Sequence, residues 1–279
     1  MPHIPPGVRT CQPRSLPWLP FLHGLLIIRQ LYSDKIVMRK AALYCLLPVL
    51  FNMAHARAAA NVDATQVYFL DNELVYAGKL DPDANQRLFA LYDSLKDKPT
   101  VLSIRSVGGS TTDGLALGQW VRDHKLDVKV VEYCMSSCAN YVFPAGVRKE
   151  VSNFAVIGFH GGLSSASFTV EEATQKMLDS LPPDQRKAML AQFQATIDTD
   201  AKKEQAYLAA LGVRGDYVTL GQEERYQRLY PDDPKVVGWT YSLEDFGRLG
   251  VHGISVINPP WRPGSALKKM SFAVIKLVD

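Results

Sequence analysis

The sequence predicts an α/β fold built on a mostly parallel sheet, and three observations predict it. Apolar, strand-like runs at 100–105, 128–133 and 153–159 alternate with helical stretches. The links between them are short, and such alternation calls for parallel pairing through right-handed crossovers. Each run also empties into a loop with chemical potential: Ser106-Val107-Gly108-Gly109, Cys134-Met135-Ser136-Ser137-Cys138 and His160-Gly161-Gly162. Parallel strands put all three loops on one sheet edge, where open α/β sheets seat their ligands.

The elements follow in order. Gln66 to Leu70 alternates like a strand, and Asp71-Asn72 turns the chain into a second strand from Leu74 to Ala77. Asp81 opens a helix with Pro82 at its first position; Leu88, Leu91, Tyr92 and Leu95 form its apolar stripe, and Pro99 stops it. Leu115, Leu117, Trp120 and Val121 face inward on a helix ending near His124, and a short helix runs from Ser137 to about Ala145. Residues 169–211 read as two helices broken at Pro182-Pro183. Strand, helix and strand return at 239–241, 243–249 and 254–257, and the Pro-rich tail from Pro259 has no clear pattern.

A chain of 279 residues with 47% hydrophobic and 21% charged content is long enough for a sizeable core. Its net charge of +3 is concentrated at the start. Residues 1–60 carry seven of the 31 Lys/Arg and one of the 28 acids, which leaves the remainder at −3. No basic block interrupts that body, so no nucleic-acid partner is expected. Met38-Arg39-Lys40, the apolar run Ala41 to Phe51 and the small residues offered by Ala56-Arg57-Ala58 and Ala58-Ala59-Ala60 follow the order of a secretory signal. The expected organisation is therefore an upstream mis-start or extension at 1–37, a signal peptide at 38–60 and a mature chain beginning near Ala59 to Asn61. A single domain spans 61–260 with a helical insert at 169–211, and a tail follows at 261–279. A genuine longer N-terminus, with Leu16 to Ile28 as a weak membrane segment, is the alternative.

Cleavage leaves Cys134 and Cys138 in an exported chain, and two cysteines in an oxidising compartment favour one disulfide. A metal site lacks a second ligand pair nearby, and buried free thiols are the plain alternative. Ser137 stands where a strand turns into a helix, a place with free N–H groups and positive partial charge. Serine is also a common N-cap, and Gly108-Gly109 is also an ordinary turn. His160 tips the reading, because serine needs a base and His160 alone ends an apolar strand on the active edge. His124 reads as a helix-end imidazole and His252 as a turn residue.

These residues resemble the Clp protease/crotonase superfamily, in particular the ATP-dependent Clp proteolytic subunits, from about Val67 to Ile257. The resemblance rests on Val67-Tyr68-Phe69-Leu70, the Ser106-Val107-Gly108-Gly109 loop, Ala145-Gly146 nine residues beyond Ser137, Ile157-Gly158-Phe159-His160, and Tyr241-Ser242 through Gly250-Val251. It implies a ClpP/crotonase-like fold of repeated strand-strand-helix units, a mostly parallel sheet and a helical insert. It implies Ser137 as nucleophile, by the Ala-Gly register, and His160 as base. Gly108 or Gly109 with Cys138 would form the oxyanion hole, and Asp233, counted back from Tyr241, would be the third residue. The cysteines bracketing the serine depart from the family pattern.

The expected function is an exported, periplasmic or secreted serine peptidase that hydrolyses peptides or unfolded proteins without ATP. No cofactor, no metal and no ATPase partner is expected. The segment 169–211, with Met177, Leu178, Leu181, Met189, Leu190, Phe193, Ile197, Tyr207 and Leu208, is the expected contact of a homo-oligomer, the alternative being packing on its own core. The alternative function is a non-catalytic Clp-like binding or assembly module of the cell envelope. An acyl-CoA-processing relative is a third reading, with Arg105 as the one basic residue near the glycine loop.

Overall fold

A computed structural model describes residues 64–165, 172–265 and 267–278. The expected extension, signal peptide and cleavage point all lie outside the described residues. The architecture is mixed α/β with a mostly parallel central sheet. Strands β1 (Gln66–Leu70) and β2 (Glu73–Ala77) form an antiparallel hairpin. Its turn residues Asp71 and Asn72 take φ of 50° and 64°, the twist that two-residue hairpins need and that Asn and Asp tolerate. Beside β2 run β3 (Val101–Arg105), β4 (Asp127–Val130), β6 (Lys149–Ser152) and β9 (Ile254–Ile257), each parallel to its neighbour, in the order β1-β2-β3-β4-β6-β9.

Helix α1 (Pro82–Ser94) starts where Asp81 accepts the Ala84 N–H and Pro82 fits the first turn. Helix α2 (Thr111–Asp123) starts where Ser110 accepts the Asp113 N–H. The expected strand at 128–133 is in fact two. The chain leaves the large sheet after Val130 and re-forms as β5 (Tyr133–Met135), which pairs in parallel with β7 (Val156–Gly158). Strand β8 (Val236–Tyr241) pairs in parallel with β10 (Ser271–Ile275), so the tail without a pattern supplies a strand. Bridges from Ser106 to Cys134 and from Phe159 to Trp239 stitch these small sheets together above the strand ends.

The insert forms α4 (Glu172–Ser180) and α5 (Pro183–Ala210), broken where the two prolines stand. Leu178, Tyr207 and Leu208 are buried, while Met177, Leu190 and Phe193 are exposed. The base of α5 thus belongs to this chain's own core and its outer half does not. Short helices α6 (Glu224–Gln227) and α7 (Leu243–Arg248) complete the fold. The core under the site is aromatic: Phe159 lies 4.9 Å from Tyr217 and 5.1 Å from Tyr241, ring to ring. Burial pushes both tyrosine hydroxyls well above their ordinary pKa. Both find acceptors, Tyr217 on Ala139 O and Tyr241 on Tyr217 O, so the buried polar tips are satisfied.

Candidate active site

Two neighbouring serines end β5, and they meet different partners. Ser137 is 4% exposed, and its hydroxyl donates to Gly109 O at 3.0 Å. The hydroxyl that meets the imidazole is that of Ser136, 2.7 Å from His160 Nε2. The expected contact between Ser137 and His160 is therefore corrected by one residue. The reason is local. Residues Cys138–Val142 form a π-turn, continued by α3 (Phe143–Ala145), with the Phe143 N–H donating to Cys138 O. A π-turn holds one more residue than an α-turn, so counting back from Ala145-Gly146 lands one position too far along.

Ser136 adopts φ of 54°, in the left-handed region that non-glycine residues seldom enter. Neighbouring contacts hold it there. Its N–H donates to Gly158 O at 2.8 Å, and its carbonyl accepts the Asn140 N–H at 2.8 Å. Cys134 and Cys138 form a disulfide across it, with Cα atoms 5.2 Å apart, as expected from the sequence. Such a conformation costs on the order of 1–3 kcal/mol and gathers at functional sites. It turns the Ser136 side chain out to a half-exposed position while both flanking cysteines stay buried.

Helix α2 braces the turn from behind. A Cβ on Gly114 would sit 2.8 Å from Ser137 Cβ, and one on Gly118 would sit 2.4 Å from Tyr141 O. Only hydrogen at these positions allows so close an approach. Tyr207 donates to Tyr141 O at 2.8 Å, and with the Tyr217 bond to Ala139 it satisfies carbonyls of the π-turn from other elements.

The glycine loop lies against the serine turn. Gly108 has φ of 91°, and a Cβ there would fall 2.7 Å from Met135 O and from Ser136 Cβ, and 3.0 Å from Ser137 N. The Gly108 N–H donates to Ser106 Oγ at 3.1 Å and so is turned inward. The Gly109 N–H donates to no group among the described residues. Ser137 and Cys138 lie in the first turn, where N–H groups have no acceptor within the helix. Of the expected oxyanion donors, Gly108 is occupied and Gly109 is free. For a nucleophile at 136 the following N–H is that of Ser137 rather than Cys138.

His160 is exposed and follows Phe159, whose N–H and carbonyl exchange bonds with Trp239 at 2.8 and 2.9 Å. Its loop is pinned on several sides. Asn140 Nδ2 donates to Gly161 O at 2.8 Å, and Gln222 Nε2 to His160 O at 3.2 Å. Glu204, fully buried on α5, accepts the Leu163 N–H at 2.8 Å, the Ser164 N–H at 3.0 Å and the Tyr141 hydroxyl at 2.6 Å. Burial, then the Glu204 charge, pushes the Tyr141 hydroxyl far above its ordinary pKa, so it stays a donor. Sequence reasoning missed Glu204. The signal was an acid sharing a helix face with Tyr207, Leu208 and Leu211.

Asp233 does not reach His160. It is exposed, and its carboxylate accepts the Lys235 N–H at 2.9 Å, closing a turn before β8. The residue beside His160 on β8 is Gly238, where a Cβ would lie 3.5 Å from His160 Cβ. Among the described residues the imidazole's one side-chain hydrogen bond is to Ser136, and no cluster of metal-ligating residues occurs. No helix among them is long and apolar enough to cross a membrane.

No family model matches the sequence, and neither does any curated protein. Among solved structures, an enoyl-CoA hydratase from Thermoplasma volcanium GSS1 overlaps 33% of this chain at 9% identity with a TM-score of 0.26. The overlap spans about half of that enzyme, 49% of its chain, and is too slight to carry an argument about either fold or chemistry.

Proposed function

We propose that this chain is a serine hydrolase of the Clp protease/crotonase type that cuts peptide bonds with a Ser136–His160 pair. The observation that carries the reading is the 2.7 Å contact between a serine hydroxyl and an imidazole nitrogen, on a residue held at φ of 54°. In this reading His160 Nε2 takes the Ser136 proton as Oγ attacks a carbonyl carbon. The oxyanion forms beside the Gly109 and Ser137 N–H groups, and the imidazolium returns its proton to the leaving amine. Water, activated by the same imidazole, then releases the acyl group. The reaction as written needs neither ATP nor a cofactor.

The buried Cys134–Cys138 disulfide supports an oxidising compartment, consistent with export through a signal at 38–60. Exposed Met177, Leu190 and Phe193 on the insert support self-association, which sedimentation of the purified protein tests. One observation favours the second reading, a binding module: no acid orients the imidazole among the described residues.

A fluorophosphonate probe separates the two. Covalent labelling mapped to Ser136, lost in Ser136→Ala and in His160→Ala but kept in Ser137→Ala, supports the hydrolase. A parent protein that stays unlabelled across pH 6–9 overturns it.

A further inference from the structure

His160 lacks an acceptor for its second ring nitrogen. Nε2 is taken by Ser136, and Nδ1 has no hydrogen bond among the described residues. The two nitrogens lie on opposite flanks of the imidazole ring, so Nδ1 is directed away from the serine. His160 also lines a cavity of about 270 Å3, together with Gln222, Gln227, Tyr230, Gly238 and Trp239, and no Asp or Glu is among the lining residues.

Strand β8 cannot supply the acid at this level. A Cβ on Gly238 would lie 3.5 Å from His160 Cβ, but it would also fall 1.9 Å from Phe159 O. Any side chain there forces apart the backbone pairing of Phe159 with Trp239. What the chain leaves beside the imidazole is space. Tyr230 gives its proton to Gly221 O at 2.7 Å, and burial holds its hydroxyl far above its ordinary pKa, so it brings no charge. An imidazolium formed at His160 is thus the one charge on the cavity wall.

We infer that this cavity receives a carboxylate that accepts from His160 Nδ1 and completes the site from outside the chain; the inference rests on the hydrolase reading of Ser136. When the Ser136 hydroxyl donates to Nε2, the ring proton sits on Nδ1, so the free nitrogen is a donor. An acceptor there holds that tautomer, and an anion also stabilises the imidazolium formed when Nε2 takes the serine proton. No bond to the carboxylate forms or breaks, and the Nδ1 proton stays on the ring. A cation is repelled by the imidazolium, and a neutral amide offers an acceptor without the charge. Val236, Val237 and Trp239 give the cavity apolar walls, which suit a short aliphatic chain behind the carboxylate. A free monocarboxylate and a glutamyl side chain of the substrate share that chemistry.

The test has a binding arm and a labelling arm. In protein labelled with 15N-histidine, the His160 ring nitrogens are assigned by their loss in His160→Gln. The Nδ1 resonance should move saturably with propionate and at least tenfold less with propionamide. A neutral peptidyl phosphonate should modify Ser136 at least tenfold faster in saturating propionate than in chloride of equal ionic strength. Gln227→Trp, at an exposed lining position, should cut that acceleration to twofold or less. A glutamyl phosphonate that outpaces the glutaminyl one, and loses its advantage when propionate is added, places the carboxylate on the substrate; equal rates of the two alongside acceleration by propionate assign a separate ligand. Propionate and propionamide acting alike overturn the site. A shift with propionate in a protein that no phosphonate labels keeps the carboxylate site and removes the hydrolase; labelling indifferent to propionate does the reverse.

Discussion

Ser136 Oγ lies 2.7 Å from His160 Nε2, although the two residues leave different strands and are held by different devices. The serine is fixed by a disulfide and a π-turn; the imidazole is carried on a loop tied to α5 and to the Gln222 turn. The pair exists because β5 and β7 run in parallel and end at the same level.

The two serines should separate cleanly. Ser136→Ala should abolish fluorophosphonate labelling, whereas Ser137→Ala should keep it within about tenfold. The second change deletes a buried bond to Gly109 O and should lower stability by about 1 kcal/mol, read by denaturant unfolding. Labelling that survives Ser136→Ala and disappears in Ser137→Ala would return the role to Ser137.

The disulfide closes a short loop, so its entropic contribution is limited. Replacing both Cys134 and Cys138 with Ala should lower stability by about 2 kcal/mol on the chain-entropy account. Because the bridge holds the Ser136 turn, labelling should slow by a larger factor than stability alone explains. Unchanged labelling at a lowered Tm would assign the bridge to stability only.

Glu204 offers a buried carboxylate to three donors. Glu204→Leu strands all three and should destabilise by about 3 kcal/mol or more. Glu204→Gln keeps one acceptor oxygen and should recover part of that. Hydrogen exchange at Leu163 and Ser164 should accelerate in both, most in the leucine variant. Protection equal to the parent in Glu204→Leu would mean that other contacts hold the loop.

Lys149 is 5% exposed, and burial lowers its pKa from 10.5 to about 8 while its ammonium donates to His252 O. Below about pH 8 it is charged in the folded and unfolded states alike, and the folded state bears the cost of burying that charge. Between about 8 and 10.5 the unfolded chain holds more protons, so stability rises with pH; above that range both states are neutral. Relative to Lys149→Met, the parent should therefore gain stability by about 1–3 kcal/mol from pH 7.5 to 10.5. A difference between the two that stays constant with pH would refute the shift.

Much of the fold could be read from periodicity. The hairpin, both early helices, the broken insert and the strand at 254–257 stand where apolar alternation and caps put them. Three features escaped for physical reasons. β6 begins with a lysine and runs over only four residues without alternating, and β10 follows a proline-rich stretch, so neither has a strong pattern. The split between β4 and β5 is a change of sheet without a turn residue to mark it. The position of His160 at a strand end was legible from the apolar run before it, and the disulfide from two cysteines expected in an oxidising compartment. The choice between Ser136 and Ser137 was not, since one residue added inside a helix leaves the composition unchanged. Asp233 failed because its carboxylate closes a local turn, and Glu204 lay hidden in a long charged helix.

The tail strand has a consequence for the order in which the molecule is made. Phe272 packs on Gly158, where a Cβ would fall 2.5 Å from its ring, and Gly158 in turn accepts the Ser136 N–H. β10 also flanks β8, the strand that bears Trp239. On the ribosome, residues 136 and 160 emerge more than a hundred positions before Phe272. The serine and the imidazole are thus synthesised first, and the wall behind them is added only after more than a hundred further residues, so a nascent chain carries the pair without its finished enclosure.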